Sequence, residues 1–167
     1  MSTTPLTSTR KRTYPSWLND MQPHGEVKAL SERVRRIVAP NPGPMTGPGT
    51  NTYVVGQTDL VVIDPGPAVD THIGAILDCV GDQLRCIACT HTHPDHSPGA
   101  ALLAEATGAA LVGRVTEDDR HQDLTFQPTA QIEDDDTVSG EGWTLRAICT
   151  PGHVDNHVCY LLEEEGM

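Results

Sequence analysis

Thr90-His91-Thr92-His93-Pro94-Asp95-His96-Ser97 packs three imidazoles and one carboxylate between positions 91 and 96, and its two flanks decide the fold. Upstream, Cys86-Ile87-Ala88-Cys89 is short, apolar and bounded by polar residues, which reads as a buried strand. Downstream, Ser97 is placed to cap, and Pro98 to open, a helix through residues 100–106. The histidines therefore occupy a loop where a strand hands over to a helix, the usual place for a site in an α/β protein. In an extended His91-Thr92-His93 segment the two imidazoles point the same way, because side chains i and i+2 share a face. They can grip one ion together, while Asp95 and His96, redirected by Pro94, face a second. Eight histidines in 167 residues could scatter over a surface, but four donors at this density ask for a metal. Imidazole and carboxylate without thiolate is the mixture of a catalytic centre, since closed structural zinc sites are mostly built from cysteine.

Toward the N-terminus, Val69, Ile73, Ile76, Leu77 and Val80 recur at helical spacing and predict an amphipathic helix over residues 69–80. Before it, Asp64-Pro65-Gly66 closes an apolar strand at 60–63, which a turn at 56–59 joins to another strand at 50–55. An acid at the end of a buried strand is costly to leave unpaired. Asp64 has two readings: a turn or cap residue, or a carboxylate that orients a ligand histidine, the second being favoured. Residues 40–49 are so rich in Pro and Gly that they form a stiff loop able to approach a ligand closely. A first strand covers 34–39. Residues 1–19 contain no acid and are rich in Ser, Thr and Pro, which reads as a disordered tail or a transit peptide. The tail is assigned to residues 1–30 and the folded domain to 31–167.

Toward the C-terminus, Gly108 ends the helix and residues 109–113 form another strand. The pattern of strand, helix, strand, helix, strand is that of an α/β fold with helices covering a sheet. Residues 117–121 read as an exposed turn or short helix with a solvated His121. Glu133-Asp134-Asp135-Asp136 lacks the Gly and distal Glu of a calcium loop and reads as a solvated turn. A turn at 139–142 leads into a strand at 143–149, which delivers Thr150-Pro151-Gly152-His153. His153 stands, like the first cluster, just past the end of a strand. Two such loops on neighbouring strands can meet, so that His153 completes a three-histidine site with His91 and His93. Asp155 and His157 are not assigned as ligands; His157 opens a last strand at 158–162 and reads as support for the loop.

Eleven basic against 23 acidic residues give a net charge of −12, which repels nucleic acid backbones. No stretch is apolar for long enough to span a membrane, and no secretory hydrophobic segment is visible. The five cysteines, odd in number and mostly within apolar runs, fit buried thiols in a reducing cytoplasm. Cys86 and Cys89 match a redox CxxC only formally, because that motif opens a helix whereas these lie within a strand.

His91-x-His93-x-Asp95-His96, preceded by Asp64-Pro65-Gly66 and followed by Thr150-Pro151-Gly152-His153, resembles the metallo-β-lactamase superfamily of metallohydrolases. Asn41-Pro42-Gly43-Pro44-Met45-Thr46 with Gly49-Thr50-Asn51-Thr52-Tyr53 looks like the branch containing β-lactamase-like protein 2, close to the glyoxalase II type. The resemblance covers residues 32–167. It implies an αββα sandwich, mainly its N-terminal half, with His91, His93 and His153 holding a first zinc and Asp95 and His96 a second. Asp95 and Asp64 would be the catalytic carboxylates. The family pattern also needs a bridging Asp and a late His, both expected beyond residue 167, so the sequence reads as truncated. Iron or manganese also suits these donors. The implied activity is hydrolysis of an ester, thioester or related acyl bond of a small-molecule substrate by metal-activated water. A phosphodiesterase of the same fold acting on RNA, and an inactive metal-binding fragment, are the alternatives.

Overall fold

Period-two alternation decides which side each strand buries, and in this chain it sorts the apolar residues into two separate cores. The computed structural model describes residues 21–117 and 120–167. Strands β1 (Val27–Ala29), β2 (Val34–Val38), β3 (Asn51–Val55) and β4 (Leu60–Ile63) run as an antiparallel meander. Helix α1 (Asp70–Val80) then crosses to β5 (Leu84–Ala88), and α2 (Gly99–Thr107) to β6 (Ala110–Gly113); both new strands pair parallel, followed by the short β7 (Ala130–Gln131). These seven form one sheet in chain order. A second, antiparallel sheet is made of β8 (Thr137–Gly140), β9 (Trp143–Cys149) and β10 (Val158–Leu162), with β9 in the middle.

On one face of the large sheet Ile37, Val54, Leu60 and Val62 pack against Ile73, Ile76 and Val80 of α1 and Leu103 of α2. On the other face Val34, Val55, Val61 and Ile63 meet Trp143, Leu145, Ala147 and Val158 of the small sheet. Covered on both sides, β4 buries all four of its residues, which explains why its sequence is an unbroken apolar run. Each fully buried Ile or Leu in these layers contributes about 1.5–3 kcal/mol. The described residues thus make three layers, helices on a sheet on a sheet, of the mixed α/β sandwich expected from the sequence.

Several boundaries differ from the sequence reading. β1 pairs with β2, so the sheet begins at Val27, inside the segment assigned to the tail; residues 1–20 of that tail lie outside the described residues. β1 and β7 are fully exposed and β8 half-exposed, so their apolar periodicity is too weak to read. β8 runs through Gly140, where a turn had been expected from residue 139. Ser97 does not cap α2: its hydroxyl donates to Asp123 Oδ2 at 2.7 Å, and Pro98 takes the cap position without a side-chain hydrogen bond. Cys86 and Cys89 are buried free thiols, whereas Cys159 is exposed rather than buried.

Candidate metal centre

Because β4, β5 and β6 are parallel, their C-terminal ends share one edge of the large sheet. Asp64 follows β4, and the His91 loop follows β5. The β9–β10 loop carrying His153 arrives from the small sheet, stitched on by a backbone hydrogen bond from Val158 N–H to the Thr90 carbonyl at 2.8 Å. The three imidazoles named from the sequence meet there. His91 Nε2 lies 3.1 Å from His93 Nδ1, and His153 Nε2 lies 3.1 Å from the same atom. One nitrogen from each ring falls within 4.8 Å of the others, and His91 is buried, His93 half-buried and His153 exposed. Zinc–nitrogen bonds of about 2.0–2.1 Å at tetrahedral angles would space such nitrogens about 3.3 Å apart, so the cluster has the size of a single-ion site open on one side.

Proton bookkeeping fixes which nitrogens face the centre. Thr90 Oγ1–H donates to Asp64 Oδ2 at 2.8 Å, so the same oxygen must accept from its neighbour His91 Nδ1, 3.0 Å away. That leaves the His91 Nε2 lone pair aimed at the cluster. Likewise His96 Nδ1–H donates to Asp64 Oδ2 at 2.9 Å, leaving His96 Nε2 as the ring's other nitrogen on the far side from Asp64. Asp64 also accepts the Thr90 backbone N–H at 2.7 Å. Asp64 thus contacts the His96 ring directly and the His91 ring through Thr90, the kind of contact by which a carboxylate fixes the tautomer of a histidine.

Electrostatics favour the ligand form of the rings. Burial, reinforced by the neighbouring imidazoles of His96, His93, His157 and His153, lowers the His91 pKa to about 3. His93 is lowered in the same way, burial first and His153 next. His96 differs: burial opposes its charge, but the hydrogen bond and charge of Asp64, with the charge of Asp95, leave its pKa raised. Asp95 Oδ2 stands 3.4 Å from His96 Nε2 and is about one-third exposed. Asp95 and His96 sit beside the three-histidine cluster rather than within it, although the His96 and His91 ring centres are only 4.2 Å apart.

The residues between the ligands escaped the sequence reading. Thr92, buried between His91 and His93, donates its hydroxyl to Gln122 Oε1 at 2.6 Å and accepts from Asn156 Nδ2 at 2.8 Å. Asn156, only 2% exposed, also donates to the Arg114 carbonyl at 3.0 Å. It lies three residues past His153, so the Thr92–Asn156 bond clamps one ligand loop to the other. No metal motif contains these residues; the only hint in the sequence is a buried-loop asparagine, which is too common to single out. Asp155 accepts from Thr116 Oγ1 at 2.8 Å, and His157 pairs through Nδ1 with Thr150 Oγ1 at 2.7 Å, a contact within the loop it was expected to support. His121, read as solvated, lines a cleft of about 350 Å³ with Arg120, Gln122, His93 and His153. A second cleft, about 260 Å³, reaches Asp95 and His96 past Met45 of the Pro/Gly loop and Thr50 and Asn51 at the start of β3. Gly49 of that loop lets it close on the sheet, since a Cβ there would fall 1.9 Å from the Ala39 carbonyl oxygen.

A family profile described as the metallo-beta-lactamase superfamily matches residues 45–167. The chain belongs to this superfamily. Among curated proteins it is 36% identical over 148 residues to an atrochrysone carboxyl ACP thioesterase of Passalora fulva, covering 84% of this chain and 42% of that protein. It is 38% identical over 144 residues to the lactamase-like protein adaB of Aspergillus niger, covering 84% and 44%. The chain therefore spans less than half the length of these relatives. They are named as a thioesterase and a lactamase-like protein, which supports the superfamily without singling out the glyoxalase II type. Among solved structures, a metallo-β-lactamase of Cronobacter sakazakii aligns with a TM-score of 0.69 at 20% identity over 84% of this chain and 61% of that one. BJP-1, a subclass B3 metallo-β-lactamase of Bradyrhizobium japonicum, aligns with a TM-score of 0.64 at 22% identity over 82% and 56%. These likenesses establish the fold. Among the described residues, no helix is long and apolar enough to cross a membrane.

Proposed function

We propose that this chain carries the first metal site of a zinc-dependent hydrolase that cleaves acyl thioesters, and that the acyl group is presented on a carrier rather than as a glutathione adduct. The observation that carries this reading is the convergence of His91, His93 and His153, with the His91 lone pair fixed by Thr90 and Asp64. A divalent ion held there supplies Lewis acidity and lowers the pKa of water into the neutral range. His91, His93 and His153 would hold it; Asp95 and His96 would hold a second ion, and Asp95 would help to orient the water. Asp64 keeps the His91 and His96 protons on the far side of their rings. Iron or manganese would suit the same donors, but three imidazoles without thiolate favour zinc.

The thioester preference rests on the named relatives, one of which is an acyl carrier protein thioesterase. The net charge of −12 supports an acyl substrate over RNA, because a phosphate backbone would be repelled. All five cysteines are free, which agrees with the reducing cytoplasmic setting we assign to it. The test is zinc content and hydrolysis of a panel of acyl thioesters and esters, for the protein and for His91→Ala and His153→Ala. Tight zinc binding and turnover that both variants abolish are expected. Zinc content or turnover unchanged in the two variants would overturn the assignment.

A further inference from the structure

Helix α1 turns one polar side chain into the core beneath the site. His72 is 1% exposed, among apolar neighbours, and is used by none of the chemistry described above. Its Nε2 lies 2.9 Å from Thr52 Oγ1, and Thr52 Oγ1 lies 2.7 Å from the backbone carbonyl of Asp64. A carbonyl can only accept, so the Thr52 proton goes to Asp64, and Thr52 must in turn accept from His72 Nε2–H. The tautomer follows: His72 carries its proton on Nε2, and Nδ1 is a buried acceptor without a partner. An apolar side chain would fill the same space without that unsatisfied atom, which ordinarily costs stability. The ring also lies under the turn after β4, where a Cβ on Gly66 would come 3.3 Å from Nε2.

The end of this relay is the strained residue of the site. Asp64 has φ of +50°, a left-handed conformation that non-glycine residues adopt rarely. From that conformation its backbone carbonyl points down to Thr52 while its carboxylate points up to Thr90 and His96. Gly66 continues the same turn, its N–H donating to the His96 carbonyl at 2.8 Å and its own carbonyl accepting from Gly99 N–H at 2.9 Å.

We propose that His72 is a positioning residue of the metal centre: its Nε2–H, relayed by Thr52, locks the left-handed Asp64 so that one carboxylate aims both His96 and, through Thr90, His91. Burial supports a constant donor, since it lowers the His72 pKa to about 4 and keeps the ring neutral near neutral pH. The role rests on reading His91 and His96 as ligands, and its test is read on the metal-free protein so that the two readings can fail separately.

Four variants separate this role from simple core packing. His72→Gln places an amide N–H near the position of Nε2, whereas His72→Asn does not reach it; Thr52→Ser keeps the relay hydroxyl, and Thr52→Val removes it at nearly constant shape. In ¹⁵N-labelled metal-free protein, His96 should show a slowly exchanging Nδ1–H, and His72 the Nε2–H tautomer. His72→Asn and Thr52→Val should lose the protected His96 proton while amide signals of β8, β9 and β10 stay in place. The same two variants should bind zinc about 10–100-fold more weakly, the usual range for removing support from a ligand histidine. His72→Gln and Thr52→Ser should retain the His96 signal and stay within about threefold of the parent in affinity. If His72→Asn does not fold, Thr52→Val carries the test. An unchanged His96 proton in folded His72→Asn or Thr52→Val overturns the proposal, as does a folded His72→Gln protein that behaves like His72→Asn. The expected proton pattern in a protein that hydrolyses no thioester would sustain this role while removing the proposed function.

Discussion

Asp64→Asn changes one group and should reverse two rings. The carboxylate accepts from Thr90 N–H at 2.7 Å, Thr90 Oγ1–H at 2.8 Å and His96 Nδ1–H at 2.9 Å. An asparagine retains an acceptor for the backbone N–H, but its NH₂ then faces the other two. Thr90 must accept from that NH₂ and turn its own proton toward His91 Nδ1; His96 Nδ1 must likewise become an acceptor. Both rings move their protons to Nε2, the atoms that would bind metal. Each loss of tautomer control is worth about 10–100-fold in affinity, or about 1.4–2.7 kcal/mol, and here one substitution affects the His91 and His96 sites together. Two hydrogen bonds to a buried charge are also replaced by neutral ones, which costs about 2–3 kcal/mol of stability in the metal-free chain. Chelator competition with zinc gives the affinity, and long-range ¹⁵N–¹H spectra give the tautomers. An Asp64→Asn protein that binds zinc within twofold of the parent, with His91 and His96 still protonated on Nδ1, would refute the proton bookkeeping.

Acidification should unfold the metal-free chain. The folded-state pKa values of His72 and His91 lie near 4 and 3, below the ordinary 6.5, so the unfolded chain binds more protons and stability rises with pH. Their contribution is complete above pH 6.5 and is lost as pH falls toward 4 and then 3; for His72 alone the shift corresponds to about 3 kcal/mol, and a urea midpoint at pH 4.5 well below that at pH 7.5 is the check. His96, whose pKa is raised, works in the opposite sense, its contribution fading as pH climbs through its folded value. Thr92→Val removes the hydroxyl that joins Asn156 to Gln122, and should lower stability by about 1–3 kcal/mol and weaken zinc binding roughly tenfold; equal binding in a calorimetric titration would show that the clamp is not needed. Gly49→Ala forces a Cβ onto the Ala39 carbonyl at a φ of +146°, so a loss of about 2–4 kcal/mol is expected in thermal or urea melts.

Most of this centre was legible because the chemistry is local. His91, His93, Asp95 and His96 are placed by one strand end and one proline, and their spacing alone says that they face a common space. His153 was legible for a different reason: Thr150-Pro151-Gly152 marks a strand end, and a lone imidazole there gains meaning only beside a partner cluster. The strands of the core could be read from their runs of Val, Ile and Leu, whereas β1, β7 and β8 bury too little to leave a period in the sequence. Ser97 was misassigned because a serine before a helix has the local chemistry of a cap; its actual partner, Asp123, is 26 residues away. Thr92, Asn156 and His72 were invisible for the same reason, since what each does depends on a group brought to it by another element.

Asp64 shows how far local reading goes and where topology takes over. An acid after a buried strand demands a partner, which the sequence states; that the partners are Thr90 and His96 follows only once β5 lies parallel to β4, putting both strand ends at one edge. The same geometry makes the His91 and His96 rings interdependent. One carboxylate oxygen, Oδ2, accepts from both Thr90 and His96, so anything that tilts the Asp64 turn disturbs the His91 ring and the His96 ring in the same motion. A second carboxylate would have let the two rings be tuned separately; with one, their common precision depends on how rigidly a single left-handed residue is held from below.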